Sequence, residues 1–285
     1  MDWIDTLILG IVQGLTEYLP VSSSGHLEIF RQILGKDLEG GMALEFDLML
    51  HVATVLSTIV ILWREFWPLL KSFFTFKRDD NFYYVCKILV SCIPVGIVGV
   101  FFEKQITAFF EGNLTIVGIC LLVTAALLCF AYFTRTREAL AHPTAPQGRD
   151  ISWLDAFIIG CSQAVAVLPG LSRSGTTIAT GILLGDNREK VAQFSFLMVI
   201  IPILGKGLLD LKDLLFPDAA EIAANAAATV AVGPGAMIVG FLAAFLVGCA
   251  ACKWMLDIVK KGKLVWFAVY CVAVGALCIG WSLTH

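Results

Sequence analysis

Gln13 and Glu17 stand four residues apart in an apolar stretch, so an amide and a carboxylate share one helix face. The turn Pro20-Val-Ser-Ser-Ser-Gly-His26 follows directly. A second turn, Pro169-Gly-Leu-Ser-Arg-Ser-Gly-Thr-Thr177, ends another apolar stretch. Ionisable groups inside apolar segments are costly and point first to function. The chemistry of this set is coherent. Arg173 offers a planar fork that fits a phosphate through two parallel hydrogen bonds. Ser22, Ser23, Ser24, Ser172, Ser174 and Thr176 add hydroxyl donors, with Gly25 and Gly175 beside them. A helix starting after each turn aims free N–H groups and a positive dipole end at an anion. His26 can carry a proton near neutral pH, and Glu17 can hold a divalent metal or orient that base. Together these residues describe a phosphate or pyrophosphate site that does chemistry.

Each residue also has a plainer reading. Arg173 would pair structurally with Glu17 or cap a facing hairpin. The serines would be helix caps and helix–helix glue. His26 alone would be a satisfied core histidine. Asp47 and His51, four apart, either support the metal or His26 or face a wet vestibule. The nine cysteines, Cys249-Ala-Ala-Cys252 among them, all lie in apolar runs and read as small core residues. The concentration of acid, base, hydroxyl and cation at two turns favours function over the plain readings. No P-loop, zinc spacing or nucleic-acid signature accompanies them.

The elements that position these turns are repeated. Trp3, Asp5, Gly10 and Gln13 match Trp153, Asp155, Gly160 and Gln163. Ser22, Ser24 and Gly25 match Ser172, Ser174 and Gly175 at the same offset of 150 residues. The copies differ where chemistry is concentrated: Glu17 aligns with Val167, Ser23 with Arg173, and His26 with Thr176. The first half carries acid and base, the second the cation. A single membrane domain spanning 1–285 is expected, with repeat 1 near 1–135 and repeat 2 near 150–285.

Composition sets the solvent. The chain is 58% hydrophobic and 15% charged, with mean hydropathy +0.84. A soluble domain needs more polar surface than that. Six runs are long enough to cross a bilayer: 48–63, 84–102, 114–133, 191–209, 232–253 and 264–282. Segments 4–19 and 154–168 are shorter, and Pro20 and Pro169 stop them. Broken helices in repeated positions point to a midplane site. The expected fold is an all-α integral membrane protein with six transmembrane helices, two re-entrant helical hairpins and inverted-topology repeats. Trp63, Trp67, Trp266 and Trp281 near span ends read as interface anchors.

Charge placement orients the chain. Fourteen Lys and Arg fall in 64–87, 135–149, 188–190 and 253–263. Five fall on the opposite side, and Arg173 lies inside its turn. The positive-inside rule makes the first group cytoplasmic. The site then faces the outer, periplasmic side.

The segment Gln13-Gly-Leu-Thr-Glu-Tyr-Leu-Pro-Val-Ser-Ser-Ser-Gly-His26 and the segment Pro169-Gly-Leu-Ser-Arg-Ser-Gly-Thr-Thr177 resemble the two signature motifs of the bacitracin-resistance family. The resemblance covers essentially the whole chain. It implies an undecaprenyl-diphosphate phosphatase of the bacterial inner membrane. That enzyme hydrolyses a polyprenyl diphosphate lipid to the monophosphate and inorganic phosphate, and depends on a divalent cation (Mg or Ca). The family's functional positions map onto Gln13, Glu17, Ser23 and His26, and onto Ser172, Arg173 and Ser174. Gln13 departs from the commoner Glu, and a neutral amide is the poorer metal ligand. The partners expected are the lipid and the membrane, with no nucleic acid; a homodimer stays open.

Two chemical schemes follow. In one, Ser23 attacks the terminal phosphorus with His26 as base. In the other, His26 is the nucleophile or activates water directly. The competing reading is a lipid-phosphate carrier or flippase without hydrolytic activity, since inverted repeats with broken helices also build transporters. Acid, base and nucleophile together favour the enzyme.

Overall fold

The computed structural model describes residues 1–35, 41–110, 113–141, 148–215 and 232–284. Twelve helices account for nearly all of them. The first half holds α1 (Trp3–Thr16), α2 (Ser23–Leu34), α3 (Gly41–Ile61), α4 (Trp63–Phe74), α5 (Asp80–Phe110) and α6 (Leu114–Ala141). The second holds α7 (Trp153–Val165), α8 (Arg173–Leu183), α9 (Arg188–Met198), α10 (Ile200–Leu215), α11 (Pro234–Lys260) and α12 (Val265–Thr284). Among the described residues the only β pairing is an isolated bridge between Arg149 and Asp186.

Among the described residues, five segments are long and apolar enough to cross a membrane: Asp80–Phe102, Leu114–Thr134, Arg188–Leu209, Pro234–Lys260 and Val265–Thr284. A sixth forms if Glu45–Ile61 and Trp63–Phe74 count as one span bent by 92°. The run expected at 48–63 is thus the body of α3, and the chain turns sharply at Leu62. Beyond the bend, Trp63 and Trp67 stack at 5.4 Å and stay half exposed, while Leu69 and Ser72 face inward. That pattern suits a helix lying along a membrane interface. Large side chains such as Ile93, Phe101, Phe130, Leu246 and Leu277 are exposed on the spans, as lipid contact requires.

The two hairpins cannot span. At a rise of about 1.5 Å per residue, the 14 residues of α1 reach roughly 21 Å, against a hydrocarbon core of about 30 Å. The 13 residues of α7 fall equally short. Both helices begin alike. The Asp2 carboxylate accepts from Asp5 N at 3.0 Å, and the Asp5 side chain answers the Asp2 backbone N–H at 3.2 Å. In α7, Ser152 and Asp155 make the same reciprocal pair at 3.1 and 2.9 Å. The matched Asp5 and Asp155 are therefore capping residues, which satisfy amides left free at a helix start. A hairpin that returns to its own side, followed by three crossings, reverses the second half relative to the first.

The halves interlock. Helix α1 packs on α11 of the other half, α7 packs on α5, and α6 packs on α12. Matched glycines permit the first two contacts. A Cβ at Gly10 would lie 2.4 Å from the Gly240 carbonyl oxygen, and one at Gly160 would lie 2.3 Å from that of Ser91. Close backbone approach through small residues is the usual way that helices associate in lipid.

This packing makes a direct prediction. Gly160→Ala forces backbone apart and should destabilise the protein by about 1–3 kcal/mol. Gly96→Ala, where nothing lies within 4 Å, should not. Thermal unfolding in detergent checks it: a Gly160→Ala protein as stable as the parent would refute the close α5–α7 contact.

Candidate active site

The tips of the two hairpins meet. Ser22 caps α2 by accepting from Gly25 N at 3.3 Å, and Ser172 caps α8 by accepting from Gly175 N at 3.1 Å. Ser174 Oγ donates to the Leu19 carbonyl at 3.2 Å, and Gly170 N approaches Ser24 Oγ at 3.5 Å. Gly25 and Gly175 lie where a Cβ would come within 3.3 Å of Gly170 Cα and 3.1 Å of Pro20 Cβ. These residues knit one tip to the other. Ser22 holds φ at 70°, a region that non-glycine residues seldom occupy. Strain of that kind costs about 1–3 kcal/mol and persists where the surroundings hold it.

Glu17 sits at the junction with its side chain 5% exposed. One carboxylate oxygen pairs with the Arg173 guanidinium from the other half. The other accepts from Ser23 Oγ at 2.8 Å and from Gln13 Nε2 at 3.0 Å. Four of the residues marked by the sequence thus form one cluster around a single carboxylate. The two charges neutralise each other, as groups removed from water must.

His26 lies elsewhere. Its Nδ1 is 2.8 Å from the Ser22 carbonyl and its Nε2 is 2.8 Å from the Tyr270 hydroxyl. A carbonyl only accepts, so Nδ1 is assigned the hydrogen and Nε2 accepts from Tyr270. The two rings stack at 5.6 Å and 15°. The Ser23 hydroxyl, expected to face His26, donates to Glu17 instead. Asp47 pairs with Arg31, and His51 Nδ1 meets the Asp47 carbonyl at 2.8 Å; neither bonds to His26. Thr176 is buried and its hydroxyl has no hydrogen-bond partner, whereas Ser24 is exposed. Tyr270 was not marked by the sequence. A tyrosine inside an apolar span does carry a signal, because a hydroxyl among apolar groups needs a partner.

A narrow crevice of about 10 Å³ lies beside the ion pair. Glu17, Arg173 and Ser174 line it together with Thr54, Thr58 and Ser195. Val55 of α3, Phe196 of α9, Ile203 of α10 and Val199 between those last two helices supply an apolar wall. Polar and apolar side chains thus meet along one narrow crevice.

For a divalent cation the donor set is small. Among the described residues no cluster of three His, Cys, Asp or Glu side chains is present. Gln13 Oε1 is buried beside Glu17 and lacks a partner. Those two residues offer oxygen ligands suited to a hard cation that takes its remaining oxygens from phosphate and water.

Helices that cross a bilayer, two short hairpins and an enclosed ionisable site define an integral membrane protein with a polar centre at depth. A family model described as bacitracin resistance protein BacA matches residues 6–277. An undecaprenyl-diphosphatase of Bacteroides fragilis is 54% identical over 279 residues, covering 98% of this chain and 98% of that protein. One of Bacteroides thetaiotaomicron is 53% identical over 275 residues, covering 96% and 97%. One of Oceanobacillus iheyensis is 37% identical over 278 residues, covering 95% and 93%. The chain belongs to the bacitracin resistance protein BacA family.

The ion pair predicts a non-additive stability pattern. Glu17→Gln leaves Arg173 without its counter-charge and should cost up to about 3 kcal/mol, moderated by the guanidinium's remaining solvent access. Adding Arg173→Met should restore most of that loss. Unfolding midpoints of the two single variants and the double variant decide it; simple addition of two losses would deny the pair.

Proposed function

We propose that this protein hydrolyses undecaprenyl diphosphate to undecaprenyl phosphate and inorganic phosphate, and so recycles a lipid carrier for cell-wall synthesis. The observation that carries the reading is the Glu17–Ser23–Arg173 cluster at the junction of the two tips, beside a cleft with polar and apolar walls. A carrier needs a phosphate-binding group. It does not need a hydroxyl whose proton already points at a carboxylate.

The geometry favours Ser23 as the nucleophile. Its proton has a destination in Glu17, whereas the single acceptor nitrogen of His26 is occupied by Tyr270. As the diphosphate enters, Arg173 moves its fork from Glu17 to the terminal phosphoryl group, and Glu17 gains the basicity it needs. Ser23 Oγ then bonds to the terminal phosphorus while the bridging P–O bond breaks. Undecaprenyl phosphate leaves, and Glu17 takes the serine proton. Water then bonds to the phosphorus as the P–Oγ bond of the phosphoserine breaks; His26 takes the water's proton once Tyr270 yields, Glu17 returns its proton to Ser23 Oγ, and inorganic phosphate leaves. Free amides at the starts of α2 and α8 face the developing charge. A divalent cation held by Glu17 and Gln13 Oε1 would neutralise diphosphate charge there.

We further propose the bacterial inner membrane as the location, with the first hairpin entering from the periplasmic side. The single domain is read as the halves 1–135 and 150–285, the second entering from the cytoplasm. The support is the bias of Lys and Arg to one side.

Three outcomes follow. Protein incubated with diphosphate lipid labelled at its terminal phosphorus, then quenched in acid, should retain label as acid-stable phosphoserine. Acid-labile label would make His26 the nucleophile, and lipid binding without phosphate release would favour the carrier. Arg173→Lys should lose about 100-fold or more in kcat/KM, because an ammonium cannot reproduce the planar fork; activity within a few-fold of the parent would make Arg173 a generic charge. Cysteines placed at Asn113 and Arg78 in a background without native cysteines should label oppositely with an impermeant reagent. Residue 113 should react from outside and residue 78 should not; the reverse would invert the orientation.

A further inference from the structure

The hydrogen bond between His26 and Tyr270 joins residues 244 positions apart, from the first hairpin and the last span. His26 is 3% exposed, and its Nδ1 is committed to the Ser22 carbonyl at 2.8 Å. Tyr270 therefore meets the one nitrogen of His26 that can take up a proton. The two rings stack with centroids 5.6 Å apart, which packs the imidazole against the phenol.

The repeat supplies an independent comparison. At the same offset, Thr176 occupies the place of His26 and Cys120 the place of Tyr270. Thr176 Oγ1 is buried without a partner, and Cys120 packs among Ala166 and Leu171. The tyrosine–histidine pair thus exists at only one of two equivalent places, the one that holds a titratable group. A tyrosine near a span end often serves the interfacial belt, with its hydroxyl in the headgroup layer. Tyr270 directs its hydroxyl into the protein instead.

We propose that Tyr270 is a positioning residue for phosphate release, setting the tautomer and ring orientation of His26. In the resting protein the phenol donates to Nε2, which holds the Nδ1–H tautomer in place. When Nε2 takes a proton, the phenol oxygen turns to accept it, so one hydrogen bond supports both states of the base. The phenol yields while water passes its proton to Nε2, then returns to accept from the new N–H, and it gains and loses no proton itself. This rests on the reading of His26 as the acid–base group.

Tyr270→Phe keeps the ring and the stacking and removes only the hydroxyl. Two measurements on the full-length protein test the proposal. The first is 15N NMR of histidine-labelled protein; the chain has only four histidines, and His26→Ala assigns the signal. The parent should show His26 as one tautomer, with one protonated and one bare nitrogen, and Tyr270→Phe should mix the tautomers. The second is phosphate release from a polyprenyl diphosphate. Tyr270→Phe should lower kcat by about tenfold or more with KM within about twofold, and should cause no further loss in the His26→Ala background. Unmoved His26 nitrogens in Tyr270→Phe, or losses that multiply in the double variant, would overturn the proposal. A parent protein inactive on the lipid would overturn the phosphatase reading first and this proposal with it, whatever the tautomer.

Discussion

The ion pair between Glu17 and Arg173 is the constraint on which the rest of this structure depends. A buried carboxylate, its side chain 5% exposed, keeps its charge only beside a cation, so the tip that carries Arg173 must meet the one that carries Glu17. Because one partner comes from each half, neither half alone forms the cluster. The short hairpins, the close glycine contacts and the caps all serve that meeting. Helix α1 must stop at Glu17 to leave it at the tip, and α8 must start at Arg173 to aim the guanidinium across.

A buried ion pair is weak evidence of stability, since an apolar pair of similar size often packs as well. Its retention here makes sense as a poised site. An arriving diphosphate carries the charge that Arg173 needs, and in taking it frees the carboxylate. Binding and activation of the base are then one event. Ser23 already donates to that carboxylate, so the proton path exists before substrate arrives. The strained backbone at Ser22 holds the adjoining serine at the first turn of α2.

Much of this was legible in the sequence because motif and repeat are local signals. The matched turns, the short apolar stretches and the prolines that end them specified two broken helices, and the structure brings Gln13, Glu17, Ser23 and Arg173 together there. Other features had no local signal. Trp63 and Trp67 mark the interface in the sequence, but no residue there declares a bend of 92° at Leu62. The contact of α1 with α11, and of α7 with α5, pairs segments from opposite halves. Tyr270 lies 244 residues from His26, and only the folded chain places its hydroxyl on the imidazole. Asp5 and Asp155, matched in the repeat, each complete a capping box at the start of a hairpin.

The most direct test of the account uses the charge-neutral double variant Glu17→Gln with Arg173→Met, which keeps the fold while removing the chemistry. Release of inorganic phosphate from undecaprenyl diphosphate should be measured for it beside the parent, both purified. The account predicts one phosphate per lipid from the parent and none above background from the folded double variant. A folded double variant that still releases phosphate would contradict it, because the pair would then be structural and the chemistry would lie elsewhere.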